Sequence, residues 1–337
     1  MAITYLTQRP SKVRAKALPG TGSPLGKCSA DSLVPAFARE GLAAVLVDDS
    51  VRKCVLFIGT KTDDHFRPRA TGFLVAVTEH GFRFPYIVTA EHVVSGLQSK
   101  GHTLSVRVNQ KDGTVSDGPI SAESWVFHPE NERHPTDVAV CPIVVKGHAD
   151  VLMMPVIGET SVVATDEAIQ EHEIGVGDEV AIVGMFRSHY GHERNIPIVR
   201  IGNIAAMPEE PVLTDYCGYT DAYLIEARSI GGLSGSPVFV NMPPLRRRGD
   251  QWYRLEGKSM MLLLGLIHGH FDVKNLKDDS VVDDDDTAAA AGGINTGIGI
   301  VIPASKIVET LNHPDLVADR RAQAEARRKA SGAVPDA

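Results

Sequence analysis

Residues 231–240 read Gly231-Gly232-Leu233-Ser234-Gly235-Ser236-Pro237-Val238-Phe239-Val240, a glycine-rich turn around a serine that runs into an apolar strand. Glycines flanking Ser234 open backbone conformations closed to other residues, so neighbouring N–H groups can converge on one point in space. A hydroxyl is a weak nucleophile near neutral pH and needs an adjacent base. Working toward the N-terminus, two segments supply the partners. Residues 87–94 read Ile87-Val88-Thr89-Ala90-Glu91-His92-Val93-Val94, a buried strand entering a turn that presents His92. Residues 136–143 read Thr136-Asp137-Val138-Ala139-Val140-Cys141-Pro142-Ile143, with an acid at the head of an apolar strand. A neutral imidazole can take the serine proton, and a buried carboxylate fixes its tautomer and stabilises the imidazolium that forms. Taken singly, each segment has an ordinary reading as a cap, a turn residue or a loop. Together, in the order His, Asp, Ser, they supply what serine acyl transfer requires. His92 is then the general base, Asp137 its orienting partner and Ser234 the nucleophile, with Gly232 and Ser234 offering the N–H groups of an oxyanion hole.

The flanking sequence has the rhythm of an all-β protein. Short apolar or alternating runs fall at 54–58, 71–77, 84–89, 103–108, 124–128 and 137–144, divided by turn residues such as Gly59, Gly81, Gly101 and Asp112-Gly113. A second group falls at 151–157, 179–185, 196–204, 223–227, 238–241, 260–268 and 297–302. No helical crossover of a dozen residues recurs between them, so a parallel α/β sheet is not expected. The expected organisation is an arm with a short helix over 1–50, a first β lobe over 51–148, a second over 149–311 and a tail over 312–337. The tail reads as a short exposed helix that frays, carrying Arg320, Arg321, Arg327, Arg328 and Lys329.

Composition narrows the function classes. The chain has 337 residues, 43% of them hydrophobic, enough to bury a large core. A formal charge of −8, from 34 Lys and Arg against 42 Asp and Glu, disfavours nucleic acid as the partner. No apolar run approaches the ~18 residues of a membrane helix. Four scattered cysteines show neither a metal spacing nor a disulfide framework. The N-terminal stretch is basic and lacks the apolar core of a secretory signal, so the cytoplasm is the default expectation, with an organelle transit peptide as the rival. Residues 277–293, with Asp283 to Asp286, read as a solvated loop without the alternating ligands of a calcium site.

These blocks resemble the trypsin/chymotrypsin-type serine proteases, nearest the bacterial HtrA-like and V8-like (glutamyl endopeptidase) branch. The similar elements are Thr71-Gly72-Phe73-Leu74-Val75, Val88-Thr89-Ala90-Glu91-His92, Asp137-Val138-Ala139-Val140, Gly232-Leu233-Ser234-Gly235-Ser236-Pro237 and Gly297-Ile298-Gly299-Ile300-Val301-Ile302-Pro303. The resemblance implies two six-stranded antiparallel barrels and a serine endopeptidase acting on protein or peptide substrates; the residue spacings lead to the expectation of no cofactor or metal. It departs from the family in two places. Val93 stands where a Cys often follows the histidine, and the residues after 311 are too few for the PDZ domain of HtrA enzymes. Leu233 precedes the nucleophile where trypsin-type zymogens place an Asp, so activation by N-terminal trimming is not expected. Control is expected from ordering of loops around the cleft or from a regulatory protein partner.

The resemblance also places Arg228 at the floor of the pocket for the residue before the scissile bond, with the strand Ile267-His268-Gly269-His270 lining it. A cation there disfavours Lys or Arg in the substrate. Glu, Asp and small apolar residues remain open, because His268 is offset by one residue from the histidine of glutamyl endopeptidases, which could turn it out of the pocket. Rival readings are weaker. The α/β-hydrolase elbow fails at Ser236, a Ser50/Lys53 pair is a four-residue pattern of chance frequency, and neither His189/His192/Glu193 nor His268/His270/Asp272 has a metal-site spacing. The alternative of another class is a protease-fold binding protein without turnover.

Overall fold

A computed structural model describes residues 47–62, 65–130, 135–227, 232–243, 245–248, 251–254, 260–272 and 295–331. Residues 1–46 of the arm and short helix expected over 1–50, the acidic loop and Arg228 lie outside the described residues.

The first lobe is one sheet of eight strands: β1 (Val55–Thr62), β2 (His65–Glu79), β3 (Phe82–Thr89), β4 (Leu104–Asn109), β5 (Val115–Ile120), β6 (Val126–Phe127), β7 (Ala139–Pro142) and β8 (Met154–Ile157). The hydrogen-bonded order is β5-β4-β1-β2-β3-β7-β6, with β8 beside β2. It differs from the expected six-stranded closed barrel in two ways. Residues 115–120 carry Asp, Gly and Pro and read as loop, yet form β5. A sheet-end strand tolerates Pro119 because one row of its N–H groups has no partner to find. Residues 154–157, assigned in sequence to the second lobe, pair in parallel with β2. The boundary between lobes therefore falls after β8 rather than near 148.

The second lobe holds β9 (Glu179–Gly184), β10 (Ile198–Ala206), β11 (Val212–Thr214), β12 (Gly218–Thr220), β13 (Tyr223–Glu226), β14 (Pro237–Met242), β15 (Leu245–Arg248), β16 (Gln251–Arg254), β17 (Met260–Asp272) and β18 (Asn295–Pro303). Six of them close a barrel in the order β10-β13-β18-β17-β14-β9. The expected all-β architecture stands, and this lobe is the expected six-stranded antiparallel barrel. Two small hairpins, β11–β12 and β15–β16, stand beside it.

Strand length follows apolar patterning. Residues 70–77 in β2 are buried on both faces, while residues 65–69 are exposed or half-buried. One hydrophobic cluster joins Phe57, Phe73 and Val88 of the first lobe to Val183, Phe239 and Leu266 of the second. Each such side chain contributes ~2 kcal/mol of burial, so the shared core holds the lobes in fixed relation.

Helix α1 (Glu91–Gln98) follows β3, α2 (Asp166–Glu171) precedes β9, and α3 (Ala304–Leu311) and α4 (Pro314–Ser331) close the chain. The C-terminal segment is more than an exposed helix. Arg320 of α4 is fully buried. Its guanidinium donates to Glu79 (2.7 and 3.3 Å), to the Tyr86 hydroxyl (3.2 Å) and to the Leu311 carbonyl (2.7 Å).

Candidate active site

Strand register brings the first two candidate residues together. Thr89, the last residue of β3, pairs with Ala139, the first of β7. His92 begins three residues after one end and Asp137 two before the other, so both project from the same rim of the sheet. Asp137 is wholly buried. Its Oδ1 accepts the backbone N–H of His92 at 2.8 Å, and its Oδ2 lies 2.7 Å from His92 Nδ1. An ionised carboxylate can only accept, so the Nδ1 atom of His92 carries the proton and Nε2 is left as the basic nitrogen.

A second histidine shares that carboxylate. His268 Nδ1 lies 2.5 Å from Asp137 Oδ2. Burial alone would raise the Asp137 pKa, but hydrogen bonds from His268 and His92, and their charges, outweigh it and hold the carboxyl well below its usual range. Of the residues expected to line the substrate pocket, His268, Gly269 and His270 do line the cleft, with His268 Nδ1 turned to Asp137. Ile267 does not, being 1% exposed and part of the second-lobe core.

Ser234 sits on the turn before β14, held by a relay of bonds across the lobes. Thr89 Oγ1 donates to the Thr71 carbonyl at 2.8 Å, and Thr71 Oγ1 donates to the Gly232 carbonyl at 2.8 Å. The Thr71 N–H donates to the Ser234 carbonyl at 3.1 Å. The two lobes meet so closely that a Cβ on Gly235 (φ +77°) would fall 2.3 Å from Thr89 Oγ1 and 2.4 Å from the Thr71 carbonyl oxygen. Only glycine fits there. Gly232 likewise has φ +106°. Among the described residues, neither the Gly232 N–H nor the Ser234 N–H donates within the protein.

His92, Ser234 and His268 open on one cleft of about 280 Å³. Ser234 Oγ points toward the His268 carbonyl at 3.5 Å. Sequence reading missed Tyr216, which closes one side of the cleft from the β11–β12 hairpin. Its ring meets His92 edge-on at 5.6 Å, and its hydroxyl bonds Ser95 Oγ at 2.9 Å. Burial pushes its pKa up to about 12, keeping it a neutral hydroxyl. The only sequence signal was Tyr216-Cys217-Gly218, an ordinary turn. Of the two histidine clusters noted in sequence, His268 and His270 fall in this cleft, whereas His192 packs on Tyr190 and its carbonyl accepts from Arg107.

A family model for the trypsin-like peptidase domain matches residues 70–242. Among solved structures, the chain is similar to the apo protease domain of MamO from Magnetospirillum magneticum, at 18% identity over 79% of this chain and 100% of that one, with a TM-score of 0.47. It is also similar to Deg5, at 14% identity over 84% and 94% of the two chains and a TM-score of 0.43. A third is the Grass clip serine protease of the Toll pathway of Drosophila, at 15% identity over 79% and 70% and a TM-score of 0.43. No protein of curated function matches the sequence at a significant level.

Proposed function

The chain belongs to the trypsin-like peptidase domain family, and from that premise we propose that it is a serine endopeptidase working through His92, Asp137 and Ser234. The observation that carries the reading is the buried Asp137, which accepts both the backbone N–H and the ring Nδ1–H of His92 beside the glycine turn that presents Ser234. In the proposed cycle, His92 Nε2 takes the Ser234 Oγ proton as Oγ attacks the scissile carbonyl carbon. The oxyanion that forms accepts from the Gly232 and Ser234 N–H groups. Collapse expels the amine, which leaves with the proton from His92, and water repeats the sequence on the acyl-enzyme. Rotation of Ser234 about χ1, from the His268 carbonyl toward Nε2, is the movement the cycle requires; catalytic bonds are commonly loose before substrate binds.

Leu233 is 1% exposed and apolar, which supports control by something other than an ion pair with a freed N-terminal amine. The substrate residue before the scissile bond is proposed to be other than Lys or Arg.

The test is fluorophosphonate labelling with mass-spectrometric mapping, alongside a peptide-library cleavage profile of wild type and Ser234→Ala. Labelling at Ser234 and cleavage lost in the variant are expected. Absence of both in the wild type would refute turnover and leave a protease-fold binding protein, a reading the Ser234 Oγ direction also fits. Activity that appears only after trimming near residues 50–53 would refute the view of control, and efficient cleavage after Arg or Lys the view of specificity.

A further inference from the structure

We propose that His268 is a positioning residue, which locks the Asp137 carboxylate and sets the basicity of His92 through it; the proposal rests on the triad reading. The first observation is a slip in strand pairing. Ile267 pairs with Val301 and Gly269 with Ile300, so His268 is the extra residue of a β-bulge between β17 and β18. Bulges re-aim side chains, and this one sends an imidazole inward to a buried carboxylate instead of along the alternation of its strand.

The second observation is that His268 reaches both ends of the constellation. Its Nδ1 bonds Asp137 Oδ2, the same oxygen that takes His92 Nδ1, and its backbone carbonyl lies before Ser234 Oγ. The two imidazoles stand edge to face, 5.5 Å apart at 80°. With three N–H groups converging on it, the carboxylate cannot rotate without breaking a bond. Its Oδ2 charge is divided between two donors, so His92 receives a weaker acceptor than it would alone. Removing the second donor concentrates that charge on His92 and raises the pH at which its ring protonates. A positive charge on His268 would oppose that rise, by repelling the proton on His92. The other titratable groups facing the trio are Glu91 on α1, Asp215, Tyr216 and Cys217 on the hairpin, and His270 on β17. None of them is altered in the test below.

The test compares wild type with His268→Phe, which keeps a ring and loses the donor, and His268→Asn, whose amide N–H replaces Nδ1–H. The readouts are the pH profile of kcat/KM, kcat and KM separately, NMR titration of the His92 ring, and the low-field proton spectrum of His–carboxylate hydrogen bonds. Expected for His268→Phe are an acid limb and a His92 titration about half to one pH unit higher, a kcat about tenfold lower and a KM nearly unchanged. One of two low-field resonances is lost. His268→Asn restores the limb. A His92 titration unmoved in His268→Phe, or shifted as far in His268→Asn, overturns the proposal. Should His268→Phe fail to fold, the wild-type spectrum decides, since a single low-field His resonance overturns the shared carboxylate. The NMR readouts need no turnover, so an inactive wild type would refute the triad reading while still deciding the role of His268 in His92 titration.

Discussion

Replacing Asp137 by Asn tests the construction of the site most directly. Three donors face its carboxylate: the His92 backbone N–H, His92 Nδ1–H and His268 Nδ1–H. A carboxylate accepts all three, whereas a primary amide offers one acceptor and one donor. With its carbonyl toward the rings, the NH2 group meets the His92 backbone N–H across 2.8 Å. With the amide flipped, the NH2 group meets both Nδ1 atoms. Each ring must then move its proton to Nε2, which removes the base. Either orientation strands a buried donor or the wrong tautomer. The stability loss is about 1–3 kcal/mol for a buried polar group left unmatched. The rate loss is about 10⁴ in kcat/KM, ~5.5 kcal/mol of barrier. Fluorogenic peptide hydrolysis and urea denaturation, each across a pH series, measure the two. The sign of the pH dependence follows from the depressed Asp137 pKa. A carboxyl titrating lower when folded stabilises the fold above its ordinary value of 3.8 and loses that contribution as pH falls toward the folded value. The gap between wild type and Asp137→Asn is therefore flat above about pH 5 and closes below about pH 4. A variant keeping a tenth of the activity at unchanged stability, or a gap that widens in acid, would refute the reasoning.

Three further outcomes are expected. Gly232→Ala places a Cβ at φ +106°, 2.7 Å from Arg187 Cγ, so the turn shifts and kcat falls about 10²- to 10³-fold, with a stability loss of about 1–3 kcal/mol by calorimetry. Arg320→Ala strands the Tyr86 hydroxyl and the Leu311 carbonyl and frees α4 from Glu79; the cost is about 3 kcal/mol, read as a Tm lower by about 6–12 °C. Burial pushes the thiols of Cys54, Cys141 and Cys217 up to about 12, so in the native protein iodoacetamide leaves all three unmodified at pH 8, as peptide mapping checks.

The β architecture was legible wherever burial dictated the pattern. The runs 55–58 of β1, 86–88 of β3, 180–183 of β9 and 237–240 of β14 are apolar because both of their faces meet protein, and such runs announce themselves. What escaped were segments whose strand character comes from a neighbour. Residues 115–120 have no intrinsic strand signal and pair because β4 offers its edge. Residues 154–157 read as an isolated apolar run, and nothing local says that they lie parallel to β2. Residues 314–331 showed an Arg-rich exposed helix. That Arg320 turns inward depends on Glu79, which lies far away along the chain.

The candidate site divides along the same line. The nearness of His92 and Asp137 could be foreseen, because each stands at the end of an apolar strand and two such strands pair in register. Glycine at 232 and 235 likewise follows from the backbone conformations that the turn demands. His268 could not be foreseen. Alternation along 265–270 assigns it a face only if the ladder is unbroken, and a single-residue bulge between β17 and β18 reverses the assignment. The buried carboxylate supplies the physical reason why the slip is tolerated. Asp137 has no exposure to water, and a desolvated charge with one unmatched lone-pair direction is expensive. An extra imidazole donor offsets that desolvation at the cost of one broken step in the ladder. The bulge that hides the orientation of His268 in sequence is thus the same feature that completes the hydrogen bonding of Asp137.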